Sequence, residues 1–224
     1  MQIKPTVIFV LSFFSIQFFC TKQAFGYAGK VAYVQGDVTQ KSKGQNSKVS
    51  QDSVITGGDT LMTGPQSIAI LQMEDGAQLK LNEKSTLLIP LENEGSVTLA
   101  SGSVFSKIPK QKPGHQFKVS TPTAVMGVRG TQFFTSYGAD EEHAKDLWMC
   151  VNEGSVDVTN NASKKTVLVL AGQGILMPEK SDITAPQKYA WTKDLNWNLD
   201  PKKGNIENKI KIKYQKDLLK ADYN

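Results

Sequence analysis

Ser67-Ile68-Ala69-Ile70-Leu71-Gln72-Met73-Glu74-Asp75-Gly76-Ala77-Gln78-Leu79-Lys80-Leu81 decides the fold class. Residues 67–71 and 77–81 cluster or alternate β-branched and aliphatic side chains, the pattern of short strands. Asp75-Gly76 lies between them. Glycine supplies the positive φ of a tight turn and aspartate bonds its own backbone, so the pair predicts a β-hairpin.

The same cadence extends in both directions from this hairpin. Lys30-Val31-Ala32-Tyr33-Val34, Ser85-Thr86-Leu87-Leu88-Ile89 and Ser96-Val97-Thr98-Leu99 are strand-like, and Gln35-Gly36-Asp37, Gly57-Gly58-Asp59 and Glu94-Gly95 are turn formers. Further runs follow at residues 102–106, 116–120, 131–137, 147–151, 155–158 and 166–170. No helix-period stretch interrupts residues 29–177. The reading is an all-β body, a rolled or solenoid-like sheet of many short strands. A faint repetition supports it. Val34-Gln35-Gly36-Asp37-Val38, Leu99-Ala100-Ser101-Gly102-Ser103-Val104 and Val151-Asn152-Glu153-Gly154-Ser155-Val156 each set a glycine between two apolar strands, where a rolled sheet must turn tightly.

Composition shifts after Met177. Pro178, Pro186 and Pro201 punctuate a tail rich in lysine and asparagine. Trp191 and Leu195 are four apart, and Ile206, Ile210, Tyr214 and Leu218 repeat at four, so the tail is expected to be helical with its apolar stripe packed on the body. Ile210-Lys211-Ile212-Lys213-Tyr214 also alternates as a strand would. The expected organisation is a signal peptide over residues 1–26, a β domain over 27–178 and a basic tail over 179–224.

Residues 1–26 read as a leader. Lys4 precedes a nearly continuous apolar run over residues 7–20, and Ala24-Phe25-Gly26 offers the small residues of a cleavage site. The run is shorter than the roughly 20 residues of a membrane-spanning helix. Export to the periplasm or beyond is therefore expected, with no transmembrane helix in the mature chain. Lipidation at Cys20 is the less favoured alternative, because Gln17-Phe18-Phe19 lacks small side chains before the cysteine. Cys150, within Trp148-Met149-Cys150-Val151, reads as a small buried hydrophobe rather than a disulfide partner.

The net charge of +5 belongs to the ends of the chain. Residues 187–224 hold nine lysines and five acids, and the leader removes two lysines, so residues 27–186 carry about −1. A near-neutral body lacks the concentrated basic face that phosphate contacts demand, which argues against nucleic acid. Chemistry is equally hard to place. His115 and His143 have no metal-ligand spacing around them, and Asp140-Glu141-Glu142 reads as a solvated charge run. No catalytic residue, metal site or cofactor is expected.

One arginine, Arg129, stands among 26 basic residues. It sits in Thr121-Pro122-Thr123-Ala124-Val125-Met126-Gly127-Val128-Arg129-Gly130-Thr131. Proline ends a strand by removing a ladder donor, and Gly127 and Gly130 allow a bend or a close approach around Val128 and Arg129. A guanidinium with apolar neighbours is expected to be tucked in and to donate to carbonyls or a carboxylate of adjacent turns, clamping the layers together.

These residues carry a resemblance. Gly29-Lys30-Val31 with Val34-Gln35-Gly36, Gly58-Asp59-Thr60-Leu61-Met62-Thr63-Gly64, Glu74-Asp75-Gly76 before Leu79-Lys80-Leu81, the segment 119–131 and Ala171-Gly172-Gln173-Gly174 together resemble a FecR domain over residues 28–178. The resemblance implies an exported, all-β module of signalling or scaffolding type without catalytic residues. Thr121, Pro122, Gly127, Val128, Arg129, Gly130 and Thr131 then form its structural signature. The namesake regulators also carry a cytoplasmic sigma-binding region and a membrane helix; neither is read in this sequence, so their sigma-factor regulation is not expected to carry over. The expected function is a periplasmic or cell-envelope binding or scaffolding module, acting in signalling or assembly through an envelope protein partner. The alternative is a peptidoglycan- or carbohydrate-binding protein, with a cell-wall polymer as partner and Tyr33, Trp148 and Trp191 as candidate exposed aromatics.

Overall fold

A computed structural model describes residues 27–91, 95–112, 114–138 and 145–207. The expected leader, residues 1–26, and the expected stripe beyond Glu207 lie outside the described residues. The strands are β1 (Tyr27–Gln35), β2 (Val38–Ser42), β3 (Gln45–Lys48), β4 (Val54–Thr56), β5 (Thr60–Thr63), β6 (Ile68–Met73), β7 (Gln78–Leu81) and β8 (Thr86–Leu88). The long β9 (Ser96–Ile108) is followed by β10 (Phe117–Ser120), β11 (Ala124–Val128), β12 (Thr131–Tyr137), β13 (Leu147–Glu153), β14 (Ser155–Asn160), β15 (Thr166–Leu170), β16 (Gln173–Met177) and β17 (Gln187–Lys188).

Hydrogen bonding sorts these strands into two ladders that share β9. Sheet I runs β4-β1-β6-β7-β9-β12-β13-β16-β17. Sheet II runs β3-β2-β5-β8-β9-β10-β11-β14-β15. The β9–β10 pair is parallel, and every other neighbouring pair in the two ladders is antiparallel. The hairpin expected at Asp75-Gly76 is β6–β7, with Gly76 at φ +86° and Ala77 N donating to Asp75 Oδ1 at 3.0 Å.

The repeated glycines mark the places where the chain passes between the sheets. Gly36, Gly102 and Gly154 have φ of +76°, +86° and +81°. Gly36 lies between β1 and β2, Gly154 between β13 and β14, and Gly102 bends β9 from sheet II into sheet I. Residues 96–108 are thus one strand rather than the two expected, bent where it changes partners. Hydroxyls tie neighbouring corners together. Asp37 N donates to Ser67 Oγ at 2.8 Å, and Ser103 N donates to Ser85 Oγ at 2.9 Å. A Cβ on Gly102 would lie 2.4 Å from Ser85 Cα, so the corner needs glycine for space as well as for φ.

Alternate side chains of both sheets point inward and form the main core, including Val31, Leu61, Leu71, Leu79, Leu99, Val104, Met126, Phe133, Met149, Val156 and Val169. Each fully buried Leu or Phe contributes about 1.5–3 kcal/mol by leaving water. β12 differs from an ordinary two-layer strand because all seven of its residues are buried. Something therefore covers the outer face of sheet I. The cover is residues 189–207, whose Tyr189, Leu195, Leu199 and Ile206 pack on that face. The expected packing of the tail at home is found for this part. The expected helix is not: the segment contains single 3-10 turns at Ala190–Lys193 and Pro201–Lys203. Its asparagines favour local side-chain-to-backbone bonds over helix. Asn196 Nδ2 donates to Asn205 O at 2.7 Å, and Asn198 Nδ2 donates to Gly204 O at 3.2 Å.

Candidate functional site

The signature segment occupies the end of β10, all of β11 and the crossing from sheet II to sheet I. Thr121 is buried and closes the β10–β11 turn: its N donates to Ala124 O at 2.8 Å, and Ala124 N donates to its Oγ1 at 3.1 Å. Pro122 is exposed at the tip, and its carbonyl accepts from Asn161 Nδ2 at 3.2 Å. Val128 is buried in the main core. Gly130, at φ +69°, makes the crossing to β12, and buried Thr131 donates from Oγ1 to Ser155 O at 2.9 Å. That bond joins the crossing at Gly130 to the return crossing at Gly154.

Arg129 corrects the clamp expectation. Its side chain is exposed, and its Nη2 donates to Lys112 O at 3.2 Å. A neighbouring loop carbonyl is engaged as expected, but the guanidinium is not tucked in. β11 alternates, Val128 takes the inward place, and Arg129 falls at a crossing where the backbone leaves the layer. Tight passage at this crossing rests on Gly130 and Thr131.

Gly127 opens onto a second feature, the bare outer face of sheet II. One row crosses six strands as Leu88, Thr98, Ser120, Val125, Thr159 and Thr166, all half-buried or exposed. The adjacent row runs Ser96, Lys118, Gly127, Asp157 and Leu168. Lys118 and Asp157 flank the glycine from either side, two strand spacings or about 10 Å apart. A shallow cavity of about 520 Å³ lies there, lined by Gln116, Lys118, Val125, Gly127, Asp157, Thr159 and Thr166. The Gln116 amide takes the place of a side chain, since a Cβ on Gly127 would sit 2.4 Å from Gln116 Nε2. Leu168 and Leu170 stand 53% and 49% exposed at the β15 edge. Open, flat and mixed in polarity, this surface suits contact with another macromolecule.

The outer face of sheet I has a different centre. Lys80, on β7, is 0% exposed. Its Nζ donates to Asn196 O at 2.7 Å, Asn198 O at 3.0 Å and Ile206 O at 3.0 Å, and lies 4.2 Å from the centroid of the Phe105 ring. The three ammonium protons thus meet three carbonyls of the covering segment over an aromatic face. Burial pulls this ammonium down from 10.5 to about 7. Gln132 adds a second tie, donating from Nε2 to Trp197 O at 2.9 Å while its Oε1 accepts from Asn152 Nδ2. Around them lie Phe105, Phe134, Trp148 and Cys150, with the Phe105 and Phe134 rings 4.7 Å apart. Burial pushes the Cys150 thiol up, in keeping with the small hydrophobe expected.

Lys80 escapes a reading of the sequence because Leu79-Lys80-Leu81 has the pattern of a strand with its lysine in water. The only hint is the apolar occupancy of both phases in β12 and β13, which implies a second covered face. Of the candidate aromatics, Trp148 is buried beneath the cover, Tyr33 is half-buried, and the Trp191 side chain lies outside the described residues. His115 is exposed, while His143 and Asp140-Glu141-Glu142 lie outside the described residues. Among the described residues no three His, Cys, Asp or Glu side chains converge, and no helix is long and apolar enough to cross a membrane.

Residues 59–157, from the start of β5 into β14, match the family described as FecR protein. No curated protein matches the chain significantly. Two crystal structures of a Parabacteroides distasonis ATCC 8503 protein assigned as an anti-sigma factor are similar at 19% identity and TM-score 0.49. The similarity covers 58% of this chain and 59% of that one, so the chain spans less than two thirds of that protein's length. A cell surface anchoring domain is similar over 30% of this chain and 91% of its own, at 23% identity and TM-score 0.29.

Proposed function

We propose, from the match of residues 59–157 to the FecR family, that the chain is an exported cell-envelope module that regulates or scaffolds through protein contacts and performs no chemistry of its own. The family match is the observation that carries this reading. The leader-like residues 1–26 support export, since a short positive start, an apolar run and small residues before a cleavage point are what the export machinery reads. The bare face of sheet II supports the mode of action. It offers a six-strand surface with paired hydroxyls, one basic and one acidic residue beside Gly127, and the exposed leucines of β15 at its edge. Contacts of this kind give specificity through charge placement and affinity through a few apolar anchors.

Two measurements test the proposal. Osmotic-shock fractionation of cells making the full chain should release it with the periplasmic fraction or leave it with the envelope; retention in the cytoplasm refutes export. A photo-crosslinking amino acid at Leu168 should then give one discrete adduct in the native envelope, and the same group at the exposed Lys30, on β1 of sheet I, should not. Equal adducts at both positions, or none at Leu168, would count against sheet II as the contact face.

A further inference from the structure

Side chains of sheet I hold the covering segment by its main chain. Its carbonyls at Asn196, Trp197, Asn198 and Ile206 accept from Lys80 and Gln132, side chains that rise from the sheet. Its shape comes from within. Asn196 Nδ2 reaches Asn205 O and Glu207 O, Asn198 Nδ2 reaches Gly204 O and Asn205 O, and Lys202 N donates to Asp200 Oδ1. A loop folded by its own side chains can keep its form when it leaves a surface, which lowers the ordering cost of coming back.

The face beneath combines an apolar surface with one charge. Phe105, Phe134, Trp148, Ile68 and Ile70 make it apolar, and an ammonium stands at its centre. A methionine or leucine at position 80 would fill the covered site without the desolvation cost of a charge. On an uncovered face a lysine head would regain water and interrupt the apolar patch, and beneath the cover it supplies three donors to main-chain carbonyls. Gly174 shows the fit on the far side. A Cβ there would meet the Tyr189 ring at 2.9 Å and Cys150 Cβ at 3.1 Å, so the aromatic lies where a side chain would otherwise stand.

We propose that the outer face of sheet I is a peptide-recognition groove. Lys80 and Gln132 read main-chain carbonyls in it, Phe105, Phe134 and Trp148 hold apolar anchors, and residues 189–207 are its resting occupant. The ligand class is an extended or looped polypeptide segment of a partner protein with the pattern of that occupant: aromatic and aliphatic anchors separated by turns that present free carbonyls. This is a second contact surface, on the face opposite the sheet II surface proposed for envelope partners.

Cys150 lies under the cover and reports its opening. In the full chain carrying Cys20→Ser, a thiol reagent should modify Cys150 under native conditions, with a denaturant dependence less than half that of global unfolding measured in parallel. A synthetic peptide of residues 187–207 with a fluorophore at its N-terminus should bind the same protein saturably and slow the modification. Lys80→Met should weaken that peptide about tenfold while circular dichroism shows an intact β fold, and Arg129→Ala should leave peptide binding unchanged. Modification that tracks global unfolding overturns the proposal, because the cover is then part of the core. Modification by local opening without protection by the peptide overturns it too, as does equal peptide binding by the Lys80→Met protein.

Discussion

The two sheets show water different outer faces, although the same hairpin grammar builds both. On sheet I the outward positions of β9, β12 and β13 include Phe105, Phe134, Trp148 and Cys150, all buried under residues 189–207. On sheet II the outward positions of β9, β11 and β14 include Thr98, Val125 and Thr159, and no described segment covers them. Strand alternation therefore says which residues share a face but not whether that face is wet. That depends on a segment later in the chain, 116 to 126 residues beyond Lys80 where it meets that side chain. The largest test of this contrast is truncation on each face. Phe105→Ala should cost about 3–5 kcal/mol in urea unfolding, as for other buried aromatics. Thr98→Ala on the same strand, in its sheet II half, should stay within about 0.5 kcal/mol. Equal costs would show that the cover does not exclude water.

Lys80 sharpens the contrast through pH. Its ammonium is lowered to about 7 by burial, while in the unfolded chain it returns to 10.5. Between these values the unfolded chain binds a proton that the folded chain does not, so the Lys80 contribution rises with pH across that window and is flat below it. Wild-type stability should increase relative to Lys80→Met from pH 7 to pH 9.5, by about 3 kcal/mol at most. Parallel pH profiles of the two proteins would show that the ammonium is not desolvated in the folded state.

The corners between the sheets carry the next effect. Gly154→Ala would place a Cβ 2.7 Å from Gly130 O at a φ of +81°, so strain and collision add. A loss of about 2 kcal/mol is expected from left-handed strain with a backbone clash. At Gly172 the φ is +79° but no atom lies within 4 Å of the added carbon, and Gly172→Ala should cost about 1 kcal/mol. Thermal unfolding of the pair separates space from conformation; equal losses would assign both to φ alone.

The fold was legible where pattern and turn chemistry agreed. Asp75-Gly76 gave its hairpin, and the glycines at 36, 102 and 154 marked sheet crossings that appear in the sequence only as a faint repeat. β2 and β3 were hidden because Val38–Ser42 and Gln45–Lys48 are polar, and all four residues of β3 are exposed. Such strands are held by pairing at a sheet rim, not by an apolar face. β16 was hidden for another reason, since Gln173-Gly174 opens it with turn-like residues. The site was less legible still. A lysine between two leucines reads as a solvated position until its cover is known, and Lys80 and residues 196–206 meet only in three dimensions.

Arg129 carries the smallest expected effect, and it inverts the weight its rarity suggests. Removing an exposed guanidinium that makes one bond at 3.2 Å to a loop carbonyl costs little, because water replaces it as donor to that carbonyl at nearly equal strength. Arg129→Ala should change unfolding free energy by no more than about 0.5 kcal/mol, and Arg129→Lys by less. Thr131→Val, two residues on, removes a buried donor and leaves Ser155 O without it, so about 1–2 kcal/mol should be lost there. If Arg129→Ala proves the costlier of the two, the crossing between the sheets is held from its outside by the Lys112 loop. If Thr131→Val does, the crossing is held from within.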